Sequence, residues 1–266
     1  MTRSPLVLAA LAACVAFALT GCGMFGDKVD PKNWTVEQHY KNAKAELDSG
    51  NFAGAVKAYE ALEAKFPFGR YAQQSNLDIA YANYMDNETA ASVAAADKFM
   101  KLYPNHPNVD YALYIKALAY FKPDLGIFGD LLNLDPAERD PKSLRESFEV
   151  FKDLVVRFPD SIYADDSRKR MAYLVNALAK SDVATARYYF ARGAYVAAVN
   201  RAENVMKRYP QAPANEDALV VTIQAYEAMG QKPLADNVRR VLQKNFPNNV
   251  MVAAPGTAKT PWWKLW

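Results

Sequence analysis

The chain has 266 residues, 51% of them apolar, with 32 basic against 29 acidic residues and a formal charge of +3. So small a surplus argues against nucleic acid as a partner, and two cysteines are too few for a disulfide framework. At this length one or two domains must hold themselves together by an apolar core.

The first element is not part of that core. Arg3 precedes an apolar run from Leu6 to Leu19, shorter than the roughly 20 residues a membrane-spanning helix needs. A charged start, a short apolar core and small residues after it make a secretory signal peptide, assigned to residues 1–21. The next letters, "LTGC" at 19–22, resemble the lipobox of bacterial lipoproteins, in which the chain is cut before the cysteine and the cysteine is acylated. The resemblance implies lipidation at Cys22, loss of Cys14 and Arg3 with the leader, and a tether over 22–34 that holds the body in the periplasm. Two or more acyl chains give stable anchoring, at about 0.8 kcal/mol per buried methylene.

From Thr35 onward apolar residues recur at intervals of three and four, as in Tyr40, Ala43 and Leu47 and again in Ala55, Tyr59 and Leu62. That is the helical period, and alternating strand patterns are scarce. Five helical stretches end on an aromatic residue followed by proline: Phe66-Pro67, Tyr103-Pro104, Phe158-Pro159, Tyr209-Pro210 and Phe246-Pro247. Proline cannot continue a helix interior, so each pair marks a stop.

The stops frame a repeat. Displaced by 143, Ala43 falls on Ala186, Leu47 on Phe190, Gly50 on Gly193, Phe52 on Tyr195, Ala55 on Ala198, Val56 on Val199 and Pro67 on Pro210. The last unit keeps Gly230, Ala235, Leu242 and Pro247; the second, more degenerate, keeps Ala80, Tyr84, Phe99 and Pro104. The pattern resembles the tetratricopeptide repeat. Small Ala43 and Ala55 let two helices of a hairpin approach, and Gly50 can take the positive φ that ends a helix. The expected fold is therefore all-α, a solenoid of five tetratricopeptide-like hairpins with about ten helices. Alanines five residues beyond Pro67 and Pro159 (Ala72, Ala164) and, after three inserted residues that end on Pro107 and Pro213, five beyond those prolines (Ala112, Ala218) extend the pattern.

Two intervals between prolines are long, 55 and 51 against 37 elsewhere. The first surplus falls at 122–140, where Pro123, Gly126, Gly129 and Pro136 predict a long loop. The second carries no Gly or Pro between Ser161 and Arg192 and predicts one continuous helix over 161–192. The competing reading puts a turn at Lys180-Ser181-Asp182, with Ser or Asp capping a new helix. Hairpins one to three occupy 35–160, hairpins four and five 161–247. A tail from 248 to 266, with Pro255, Gly256 and Pro261, is expected to be disordered, with Trp262, Trp263 and Trp266 suiting a membrane interface or partner pocket.

Catalytic signatures are missing from the sequence. His39 and His106 have no partner at metal-ligand spacing, no G-x-S-x-G or Walker loop occurs, and Asp165-Asp166 read as solvated or capping groups. "GCGMFG" at 21–26 matches a dinucleotide fingerprint but follows a leader rather than a strand. No enzyme activity, cofactor or metal is expected.

The stretches "FPFGRYAQQ" (66–74), "HPNVDY" (106–111), "RDP" (139–141) and "YYFARGAYVAAVNRAE" (188–203) together resemble the BamD family of lipoproteins in the bacterial outer-membrane β-barrel assembly machine. The resemblance covers about 30–247; the tail "APGTAKTPWWKLW" departs from it. It implies a scaffold without catalysis on the inner leaflet of the outer membrane. Its carboxy-terminal half would dock the periplasmic POTRA region of BamA, and BamE, while its amino-terminal half would hold BamC and help receive unfolded outer-membrane proteins. The family's arginine that faces BamA falls at Arg201. An extended segment is expected near Phe68, Arg70, Tyr71 and Gln74, with plain packing between hairpins as the competing role for Phe68 and Tyr71. Alternatives are a general periplasmic tetratricopeptide adaptor, for example in cell-wall synthesis, and a cell-wall lytic enzyme; the residues after Pro247 leave no room for the latter's second domain.

Overall fold

A computed structural model describes residues 33–121 and 141–252. Among them run ten helices: α1 Val36–Asp48, α2 Phe52–Lys65, α3 Arg70–Met85, α4 Thr89–Leu102, α5 Val109–Tyr120, α6 Pro141–Arg157, α7 Ala164–Ala191, α8 Tyr195–Arg208, α9 Asn215–Ala228 and α10 Lys232–Asn245. No strand occurs among the described residues. Each helix packs on its neighbours in sequence, giving five hairpins in a stack. The leader, Cys22 and the expected loop at 122–140 lie outside the described residues.

The aromatic-proline pairs do what their chemistry requires. A residue before proline is pushed out of the α region, and Phe66, Tyr103, Tyr209 and Phe246 adopt φ between −128° and −134° with ψ of 59° to 75°. Each still donates its N–H to the carbonyl four residues back, at Leu62, Phe99, Val205 and Leu242. Those four side chains are completely buried. The stop therefore closes the helix over a core residue and then turns the chain.

The opposite ends of the hairpins need a left-handed residue. Gly50, Gly193 and Gly230 have φ of 82°, 74° and 73°. In the second hairpin Asn87 takes this place with φ 62°, and asparagine is the common substitute for glycine there.

Close approach of paired helices relies on one small position per second helix. Ala55, Ser92, Ser147, Ala198 and Ala235, each twelve residues before the proline of its aromatic-proline stop, are all fully buried. The two serine hydroxyls donate back to the first helix of their own hairpin, Ser92 to the Ala80 carbonyl (2.9 Å) and Ser147 to that of Ala117 (3.0 Å). Ala72, Ala112, Ala164 and Ala218 are also buried, at the first turns of α3, α5, α7 and α9.

Helix α7 is continuous through Lys180-Ser181-Asp182, 28 residues or about 42 Å at 1.5 Å per residue. Ser181 accepts a bond at its carbonyl from Thr185, and Asp182 points its carboxylate at α8 instead of capping a new helix. Leu174, Ala177 and Leu178 belong to the core formed with α3 to α6, whereas Ala179, Val183 and Ala186 belong to the core formed with α8 and α9. One helix is thus a wall of both halves. Residues 248–252, assigned by sequence to the tail, make turns in which Met251 and Val252 pack against Leu219, Ile223 and Leu242. Residues 253–266 lie outside the described part.

Candidate functional site

At the aromatic-proline edge of the stack, Phe68 stands 89% exposed beside Gly69, whose φ of 95° only glycine adopts readily. Arg70 opens α3 and lays its guanidinium 4.8 Å from the Tyr71 ring while donating to the Tyr71 hydroxyl at 3.1 Å. Tyr71 in turn packs on Tyr40 of α1, with ring centroids 5.2 Å apart. Of the two residues for which packing was the competing role, Tyr71 is half-buried between hairpins one and two and Phe68 is not.

Gln74, one turn further on, donates to Asp78 Oδ1 at 2.8 Å, and the Tyr40 hydroxyl donates to Asp78 Oδ2 at 2.9 Å. Burial raises the Asp78 pKa, a shift that the bonds from Gln74 and Tyr40 oppose. Burial also raises the Tyr40 hydroxyl, with Asp78 adding to the effect. The four expected residues thus share one corner, braced from below by a buried carboxylate.

Gln74 also borders a cleft of about 490 Å³ that continues past Asp110 and Tyr111 to Ser161, Ile162 and Tyr163. Ser161 donates to Asp110 Oδ2 at 2.6 Å, linking the turn before α7 to α5. Tyr163 lies 5.4 Å from Tyr111 and stacks on Tyr114 at 4.6 Å. Beneath them Asp166 accepts from Tyr114 at 2.7 Å and from Arg170. Burial pushes Asp166 up, but the bonds from Arg170 and Tyr114 outweigh it and leave its pKa lowered. Burial foremost, then the bond to Asp166, pushes the Tyr114 hydroxyl up to about 12. The cleft is a half-polar groove between the second turn of α3, the start of α5 and the turn before α7, and Gln74, Asn108, Asp110 and Ser161 offer it hydrogen-bonding groups suited to an extended backbone.

Arg201 lies elsewhere, on α8. Its side chain is 38% exposed, and its guanidinium is 3.6 Å from the buried carboxylate of Asp182, which Arg208 also approaches at 3.9 Å. Residues 32–241 match the family described as YfiO, outer membrane lipoprotein. The outer membrane protein assembly factor BamD of Neisseria meningitidis serogroup B is 42% identical over 261 residues, covering 96% of this chain and 98% of that one. The chain belongs to the BamD family. The Vibrio cholerae member is 35% identical over 227 residues, 85% of this chain and 93% of its own length. Among solved structures, MamA aligns at 15% identity and TM-score 0.35 over 85% of this chain and 98% of that one. The TPR-like repeats of a Podosopora anserina kinesin light chain align at 16% and 0.34 over 79% and 93%.

In this BamD-family chain, of the four residues expected from sequence Gln74 lines the cleft and Phe68, Arg70 and Tyr71 do not, while Asp110, Tyr111, Ser161 and Tyr163 are not among those expected. A signal was present: Tyr71, Tyr111 and Tyr163 stand four residues beyond Pro67, Pro107 and Pro159, directly before the alanine that the repeat pattern does pick out. His106 serves its turn, accepting from the Asn108 N–H at its Nδ1 (3.1 Å) and packing edge-on to Phe99. Among the described residues no cluster of His, Cys, Asp or Glu could hold a metal, and no helix is long and apolar enough to cross a membrane.

Proposed function

We propose that the chain is a non-catalytic scaffold lipoprotein of the outer-membrane β-barrel assembly machinery. Anchored through Cys22 in the inner leaflet of the outer membrane and facing the periplasm, it docks the POTRA region of BamA and works alongside BamC and BamE. The observation that carries this reading is the 42% identity, over 96% of the chain, to a protein named as an outer membrane protein assembly factor.

The geometry supports the division of labour. A solenoid offers a long channel, and an extended segment can satisfy its backbone along such a channel without folding first. The tyrosine-lined cleft beside Phe68, Arg70, Tyr71 and Gln74 is the place for an unfolded barrel protein. Arg201, half-exposed on the other half, is the group for a partner carboxylate, since guanidinium and carboxylate make the strong charge-assisted pair.

The test is affinity purification of the lipidated chain from detergent-solubilised outer membranes. A POTRA-bearing barrel protein should accompany it in near-equal amount. Recovery of the chain alone, or with cell-wall synthases instead, overturns the reading.

A further inference from the structure

A second cavity, of about 660 Å³, lies at the junction of the two halves and has no part in the reading above. It follows from the length of α7. The first half of that helix packs on α6, and α8 pairs with its second half, so the end of α8 meets α6 without lying along it. The gap is walled by Phe148, Val175, Leu178 and Tyr209, with the guanidinium groups of Arg145 and Arg208 beside them.

We propose that this cavity seats the tryptophan-bearing segment 253–266 of the same chain. Its starting point is fixed close by. Asn249 donates to Glu216 of α9 at 2.7 Å, and α9 opens directly after the Tyr209–Ala214 turn whose residues wall the cavity. Asn215 braces that turn by donating to the Tyr209 carbonyl at 2.8 Å. From Val252 to Trp262 is ten residues, up to about 33 Å of extended chain, which is ample for a site one hairpin away along the same edge.

The chemistries also match. Trp262, Trp263, Leu265 and Trp266 are apolar groups that are costly to leave in water, and the walls offer aliphatic and aromatic surface. Arginine stacks favourably on indole, and Arg208 already lies over one ring, that of Tyr209, at 5.5 Å. Glu149 borders the same cavity and suits Lys264.

Tryptophan fluorescence reads this directly, because the chain's remaining tryptophan is Trp34. In the mature chain carrying Cys22→Ser and Trp34→Phe, free of lipid and partners, emission should be blue-shifted from its value in denaturant and quenched several-fold less by acrylamide. Val175→Glu should return both toward the denatured values. Gln211→Cys with Lys264→Cys, at an exposed position that spares the fold, should close an intramolecular disulfide under mild oxidation. Emission already at the denatured value, turning blue only on phosphatidylglycerol–phosphatidylethanolamine vesicles, overturns the proposal and gives the segment to a membrane. A blue shift that fades on dilution overturns it in favour of a second copy, and so does an unlinked cysteine pair with unshifted emission in Val175→Glu.

Discussion

The carboxylate of Asp182, buried midway along α7, lies 3.6 Å from the guanidinium of Arg201 on α8. This contact changes what a charge reversal at Arg201 measures. From sequence, Arg201→Glu is expected to remove a partner contact and leave the melting temperature alone. With Asp182 beside it, the new carboxylate meets a buried like charge. The folded state should lose about 1–2 kcal/mol, between the values typical of exposed and buried pairs, and melting should fall by about 3–8 °C. Calorimetry of Arg201→Glu checks this. The double variant Arg201→Gln/Asp182→Asn should melt within about 2 °C of wild type while still losing the partner. If it keeps binding at moderate salt, Arg201 is not the docking group.

The small position of each second helix gives a graded test. Ser92→Ala should cost only about 1 kcal/mol, the net worth of one hydrogen bond, because alanine already fills the equivalent places at Ala55, Ala198 and Ala235. Ser92→Leu must push α3 and α4 apart, and overpacking of this kind costs about 1–3 kcal/mol or more. Urea titrations giving the reverse order would show that the hydroxyl, not the size, is what the position requires.

These cases mark what was legible. The aromatic-proline stops, the left-handed glycines and the uninterrupted run over 161–192 all follow from local backbone chemistry, so sequence spacing alone locates them. Ser92 and Ser147 hide the repeat, because a buried serine differs from alanine by a hydroxyl satisfied only in three dimensions. Of the cleft, Gln74 alone is among the expected residues, for a similar reason. Phe68, Arg70, Tyr71 and Gln74 are adjacent in sequence, whereas Asp110 meets Ser161 across 51 residues. Arg201 is singled out by the family resemblance, whereas Asp182 stands out in sequence only as a possible cap, because its pairing with Arg201 joins two helices and is set in three dimensions.

The cleft itself should be mapped with photo-crosslinkers at Arg70, Gln74 and Ile162. During assembly all three should capture the carboxy-terminal segment of an unfolded barrel protein, while a control at Val196, exposed on α8, should not. Capture at Arg70 alone would confine the site to the first corner. Capture at none would remove the substrate role from the cleft.

Two carboxylates give opposite pH dependences. The pKa of Asp78 is raised, chiefly by burial, so its folded form holds a proton over a window above the ordinary 3.8 that the unfolded form has already lost. Its contribution to stability therefore falls as pH rises through that window and is recovered on acidification. Asp166 is lowered, so its contribution is complete above 3.8 and is lost as pH falls below it. Against wild type, Asp78→Asn should look relatively worse at pH 4 than at pH 7. Asp166→Asn should look relatively better as pH drops below 3.8. Parallel urea series would reject this if both differences moved in the same direction.

Continuity of α7 makes the last prediction. Lys180 is exposed and lies where the Leu178 side chain serves one core and Val183 the other. Were there a helix start at Ser181, a proline just ahead of it would be tolerated, since the first turn has no N–H partner to lose. In the observed helix Lys180→Pro removes a bond from the interior and drives the ring into the preceding turn, costing about 3 kcal/mol or more. Lys180→Ala should be neutral or slightly stabilising. The damage should also be shared unevenly. Hairpins four and five rely on α7 for half of their first pair, whereas the amino-terminal core keeps α3 to α6 intact. Urea unfolding of Lys180→Pro should therefore split, with α8 and α9 losing amide protection at lower denaturant than α3 and α4 in hydrogen exchange. A single transition at the wild-type midpoint would mean that α7 bends at Ser181 without penalty and that the two halves are not joined through it.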